Sequence, residues 1–140
     1  MSSSDARGSF ELMDSVVQVS FTVIALLSRA AAEHDLSLTQ LRVLAILRDR
    51  EPKMAELAAY LGLDRSSVSG LIDRAVGRGL MRRKPSRDDG RVVRVGLTDH
   101  GRHLASRLTD EIGGRIMPML RNLDPSDQER LRVLLNRLLG

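Results

Sequence analysis

The stretch MAELAAYLGLDRSSVSGLIDRAVGRGL constrains what this chain can fold into more than any other. It holds two amphipathic segments separated by a break at Gly62. The second restarts at Asp64, whose carboxylate suits a helix N-cap and the positive end of the helix dipole. Leu57, Ala58 and Leu61 line one face of the first segment, and Val68, Leu71, Ile72 and Ala75 one face of the second. Arg65, Ser66, Ser69, Gly70, Asp73 and Arg74 fall mainly opposite, and Gly79 stands where a left-handed C-terminal cap would close. The pattern predicts two short helices joined by a tight turn, the second presenting a polar face.

Longer helices flank this unit. From about Ser9 to Glu33, Leu12, Met13, Val16, Val17, Ile24, Leu27 and Ala31 recur at helical spacing, and Val19, Phe21, Val23 and Leu26 add a second stripe. Residues 1–8 read as a frayed leader. In LSLTQLRVLAILRD, Ser37 and Gln40 form a capping box and Leu36 and Leu41 a hydrophobic staple, opening a helix over 38–48. Lys53 is a poor cap, so the first turn of the helix at 54–61 is expected to be loose. LMRRK and RVVRVGL flank the turn-rich PSRDDG, and Val93, Val95 and Leu97 alternate as in a half-buried strand, which predicts a β-hairpin with a charged tip. A helix then runs from Thr98 toward Leu120, expected to bend or break at Gly113, Gly114 and Pro118. The last segment places Leu131, Leu134, Leu135, Leu138 and Leu139 at i, i+3, i+4, i+7 and i+8. The expected fold is mainly α with a small β-hairpin, in one domain over residues 1–140.

Composition removes whole function classes. Cysteine is absent, which excludes disulfides, thiolate metal sites and thiol chemistry. Phe10, Phe21 and Tyr60 are the only aromatic residues, too few for base-stacking platforms. His100 and His103 stand at i and i+3 without a third ligand at motif spacing, so no metal is expected. No phosphate loop, nucleophile elbow or carboxylate pair supports an enzyme, and no cofactor is implied. Gln18, Ser20 and Thr22 interrupt the richest apolar run, which rules out a membrane span and a membrane partner at this level. The N-terminus lacks a signal-peptide pattern, making the cytoplasm the expected compartment.

Charge is placed, not spread. Between Arg65 and Arg94 stand nine basic residues (Arg65, Arg74, Arg78, Arg82, Arg83, Lys84, Arg87, Arg91, Arg94) against three acids (Asp73, Asp88, Asp89), whereas the rest of the chain is slightly acidic. A basic middle implies that this segment meets a polyanion. In a helix-turn-helix the second helix enters the DNA major groove by its N-terminal residues. Arg65, Ser66, Ser67 and Ser69 are candidates there, with Arg74 and Arg78 aimed at phosphates. A hairpin carrying Arg87, Asp89 and Arg91 beside that helix fits a wing reaching the minor groove.

LSLTQLRVLAIL, MAELAAYLGLDRSSVSGLIDRAVGRGLMRR and DGRVVRVGLTDHG together resemble the MarR family of winged helix-turn-helix transcription regulators. The most specific pieces are LIDRAVGRGL and the run Asp89, Arg91, Leu97, Thr98. The resemblance implies a winged helix-turn-helix over 36–97 with dimerisation helices at 9–35 and 98–140, in a homodimer on a pseudo-palindromic duplex. It further implies a salt bridge between Asp73 and Arg91 that orients the wing. Val16 and the 131–139 leucines would form the dimer contact. A small lipophilic or aromatic effector that releases DNA from a repressor would sit against Met13, Val17, Phe21, Leu44 and Leu47. Two alternatives stand beside this reading: a nonspecific architectural DNA binder, and a winged helix that binds an acidic protein.

Overall fold

The computed structural model describes residues 2–140; Met1, part of the expected frayed leader, lies outside them. The elements in chain order are α1 (Ser3–Ala32), α2 (Leu38–Leu47), α3 (Met54–Leu61), α4 (Arg65–Gly77), β1 (Met81–Pro85), β2 (Val93–Leu97), α5 (Asp99–Leu120) and α6 (Pro125–Leu139). The expected class, mainly helical with one antiparallel hairpin, is what forms. The chain divides into two compact units, Leu27–Thr109 and the chain up to Leu26 together with Asp110–Gly140.

Leu27–Thr109 holds every buried apolar residue described, from Ala30 to Leu108. Its centre is Val43, Leu44 and Leu47 of α2, Leu57 of α3, Val68 and Ile72 of α4, and Val95 and Leu97 of β2. These are the inward positions that the helical and alternating periods assign. Ser37 Oγ accepts the Gln40 N–H at 3.1 Å while Gln40 Oε1 accepts the Ser37 N–H at 2.9 Å, so the capping box at α2 closes in both directions. Lys53 begins α3 more firmly than expected: Glu56 Oε1 accepts its N–H at 3.0 Å, and Lys53 bridges to Arg94 of β2. Gly62 ends α3 at φ 65°, and Gly79 takes φ 74° after α4, conformations that side chains with a Cβ adopt at a cost.

β1 and β2 pair from Met81↔Leu97 to Pro85↔Val93. The Pro52 carbonyl adds a rudimentary third strand by accepting the Val95 N–H at 3.0 Å. Thr98 then caps α5: its Oγ accepts the Gly101 N–H at 3.0 Å and donates to the Gly79 carbonyl at 2.6 Å.

The other unit comprises α1 up to Leu26, α5 from Asp110, and α6. Among the described residues it buries no side chain fully, and Leu138 and Leu139 are 74% and 87% exposed. Three expectations change here. Residues 3–8 are helical, not frayed. α5 passes Gly113, Gly114 and Pro118 without a break; Pro118 lies in the last turn, where its missing N–H removes only one late ladder bond. By length and composition α1 is also long and apolar enough to cross a membrane, contrary to the expectation from the sequence. The polar groups counted against a span are satisfied within the helix. Ser20 Oγ donates to the Val16 carbonyl at 2.7 Å, Thr22 Oγ1 to the Gln18 carbonyl at 3.0 Å, and Gln18 Nε2 to Asp14 at 2.8 Å.

Candidate nucleic-acid interface

Asp64 starts α4 through two hydrogen bonds to one oxygen. Its Oδ1 accepts the Ser67 N–H at 2.7 Å and the Ser66 hydroxyl at 2.8 Å. The Ser67 N–H, followed by the Ser66 hydroxyl, holds the Asp64 carboxyl below its usual range. Val68, Leu71, Ile72 and Ala75 are buried, which turns Arg65, Ser66, Ser67 and Arg74 outward and leaves Ser69 and Gly70 half-buried. All six expected recognition-helix residues therefore lie on the exposed side of α4 or at its edge.

Side-chain bonding divides the basic residues into two sets. Arg78 is not aimed at phosphate: Nη1 and Nη2 donate to the Asp35 and His34 carbonyls, each at 2.8 Å, closing the C-terminal end of α1. Arg42 donates to the Tyr60 carbonyl at 2.9 Å, closing α3 in the same way. Lys84 Nζ pairs with Glu51 Oε2 at 2.5 Å. Arg94 Nη1 donates to the Glu51 carbonyl at 2.9 Å, and its Nε reaches the buried Ser86 hydroxyl at 3.4 Å. Between Arg65 and Arg94, Arg65, Arg74, Arg82, Arg87 and Arg91 form the other set; among the described residues, no hydrogen bond or ion pair engages their side chains, and all five are exposed.

The expected Asp73–Arg91 bridge does not form. Asp73 Oδ1 pairs with Arg83 Nη2 at 2.7 Å, and the same nitrogen donates to the Ser69 carbonyl at 3.3 Å. Register supplies the reason. Met81 and Arg83 stand opposite the buried Leu97 and Val95, so Arg83 lies on the hairpin face that packs toward α4. Arg91 instead belongs to the tip, where Asp89 Oδ1 accepts its backbone N–H at 3.0 Å and the Asp89 carbonyl accepts the Val92 N–H at 3.0 Å. Asp89 thus shapes the turn and leaves the Arg91 guanidinium unengaged.

An open groove of about 500 Å³ runs between the start of α3, the start of α4 and the wing, lined by Lys53, Met54, Ala55, Arg65, Ser69, Arg91, Val92 and Val93. It brings together Arg65, Ser69 and Arg91, which the sequence proposed separately. Lys53 and Met54 were missed, because a helix start without a capping residue gave no sign of facing the same groove. Arg83 and Glu51 were missed as well. Alternation outward from Met81 would have placed Arg83 against α4, whereas nothing local marks Glu51.

The remaining expected sites separate by burial. Leu44 and Leu47 are core, while Met13, Val17 and Phe21 are exposed on α1. The proposed effector pocket therefore mixes packed interior with bare surface. Val16, Leu134, Leu135, Leu138 and Leu139 are exposed, and Leu131 is half-buried.

The sequence pattern of the MarR family matches residues 34–92. The HTH-type transcriptional regulator PecS of Dickeya dadantii (strain 3937) is 28% identical over 86% of this chain and 75% of its own. The uncharacterized HTH-type transcriptional regulator YkoM of Bacillus subtilis (strain 168) is 30% identical over 78% of this chain and 71% of its own. The structure of MarR from E. coli in its apo form superposes with a TM-score of 0.76 at 25% identity, covering 92% of this chain and 97% of that one. A point mutant of the same protein complexed with operator DNA gives 0.73 at 25% identity, covering 93% and 94%. With this motif order, this winged helix and these relatives, the chain belongs to the MarR family of transcription regulators.

Proposed function

We propose that the chain acts as a homodimeric, sequence-specific binder of double-stranded DNA that represses transcription. Arg65, Ser66, Ser67, Ser69 and Gly70 would meet the major groove, Arg74 a phosphate, and Arg87 and Arg91 the flanking minor groove. The observation that carries this reading is the division of the nine basic residues between Arg65 and Arg94. Arg78, Arg83, Lys84 and Arg94 have internal partners, and among the described residues the other five, Arg65, Arg74, Arg82, Arg87 and Arg91, have no side-chain hydrogen bond or ion pair and are on α4 and the wing. Operator DNA bound by a mutant of E. coli MarR, a protein of the same fold, supports it.

Dimerisation would use α1 and α6 over the regions 9–35 and 98–140, with the winged helix at 36–97 as the other part of one functional domain. Its support is the exposed apolar surface: a helical unit that buries no side chain fully among its described residues needs a partner to exclude water. Release by a small aromatic or lipophilic effector, and a place in the cytoplasm, complete the reading on family membership alone.

Selection from a random duplex pool at near-physiological salt tests the proposal. Enrichment of an inverted repeat with half-sites roughly 34 Å apart is the expected result. Retention without enrichment would favour an architectural binder, and no retention even at low salt a protein-binding module.

A further inference from the structure

The wing is fastened on its outer face by an acid from the loop between α2 and α3. Glu51 Oε2 pairs with Lys84 of β1, and the Glu51 main-chain carbonyl accepts from Arg94 of β2. The next residue, Pro52, accepts the Val95 N–H. The carboxylate lies directly over Gly96, where an added Cβ would overlap Oε2. In the hairpin register, Lys84 faces Arg94 and Arg82 faces Gly96, so one carboxylate spans both strands of the wing root. The hydrogen bond from Lys84, with the positive charges of Lys84, Arg82 and Arg102 of α5, holds the Glu51 carboxyl below its usual range.

We infer that Glu51 is a positioning residue for DNA binding, holding the wing in the pose that presents Arg87 and Arg91 to the duplex. The inference rests on the proposed contact between wing and DNA. Nothing in the residue's charge favours DNA: an acid beside a polyanion is repelled by it. Simple electrostatics therefore makes Glu51→Gln bind a duplex more tightly, by removing a negative charge near phosphates. A positioning role has the opposite sign, because the glutamine is a weaker partner for Lys84 and the hairpin root loosens.

Two variants disturb the fastening by different routes. Glu51→Gln removes the charge and keeps the shape. Gly96→Ala keeps the charge and displaces the carboxylate, which can swing aside because it ends a flexible side chain. Each is expected to weaken duplex binding about tenfold, the scale of one lost arginine contact. The double variant should be no weaker than either single one, since both act on a single contact.

The experiment combines hydroxyl-radical footprinting on a selected duplex with amide hydrogen exchange of the free protein. In both variants faster Val95 exchange is expected, with minor-groove protections lost at the flanks and the major-groove core retained. Unchanged Val95 exchange would overturn the fastening. Faster exchange with intact flanking protections would overturn the wing's contact with DNA, on which the inference rests. Uniform loss of all protections would make Glu51 a general stability residue and overturn the assignment too, as would additive effects in the double variant.

Discussion

Arg83 Nη2 stands 2.7 Å from Asp73 Oδ1, so one guanidinium ties the wing hairpin to the helix beside it. Both side chains are partly solvated, and exposed pairs of this kind contribute about 0.2–1 kcal/mol to stability. Arg83→Gln should therefore change the melting temperature little and weaken duplex binding more, through misplacement of the wing. Thermal melts beside fluorescence anisotropy on one duplex separate the two effects. A large stability loss would show that the pair supports the fold rather than the pose.

Arg91→Ala should have a different signature. The guanidinium has no internal partner among the described residues, so unfolding free energy should stay within about 0.5 kcal/mol of the parent. Duplex affinity should fall by about 1–3 kcal/mol, and the slope of log affinity against log salt should become shallower. Unchanged affinity and slope would remove Arg91 from the interface.

Gly101 and Gly113 occupy the same helix and should respond oppositely to alanine. A Cβ at Gly101 would overlap the Leu80 carbonyl oxygen, a backbone atom with little room to yield. Gly101→Ala should destabilise by about 1–3 kcal/mol, as overpacking does. Nothing lies within 4 Å of a Cβ at Gly113, so Gly113→Ala should stabilise by about 0.5–1 kcal/mol through lower unfolded-state entropy. Urea denaturation of both variants checks the pair.

Asp64 has a folded-state pKa below its ordinary value, lowered first by the Ser67 N–H and then by the Ser66 hydroxyl. A depressed carboxyl stabilises the fold above the unfolded pKa, near 3.8, and loses that contribution as pH falls through the lower folded value. Asp64→Asn keeps a capping oxygen and cannot titrate. Its melting temperature should fall less steeply than the parent's on acidification below about pH 4, and parallel profiles would reject this account.

Leu135→Asp tests the unpartnered surface. In the proposed dimer a carboxylate at this leucine contact would split the subunits, leaving a species of half the mass by light scattering. An unchanged dimer would move the contact elsewhere on the chain.

The sequence rules worked where the deciding interaction was local. The Ser37–Gln40 box, the Asp64 cap and the Gly79 turn each depend on residues within a few positions, and each forms as expected. Helical period likewise sorted α4 into a buried and a polar face. It failed where the partner was distant. Arg78 follows the last residue of α4 in an exposed position, as a phosphate contact would, yet it reaches carbonyls 43 and 44 residues away. Glu51 reaches across 33 residues to Lys84, and no spacing rule links a loop acid to a strand formed later in the chain.

A hydroxyl has one proton, and Ser66 directs its own at Asp64. What remains on that oxygen is lone pairs, on the exposed side of α4. While that bond holds, a phosphate oxygen or guanine O6 or N7 finds no donor there, whereas the amino groups of adenine and cytosine can donate to it. If Ser66 meets the major groove as proposed, the cap at the head of the helix would give it a preference for positions where an amino group projects into that groove.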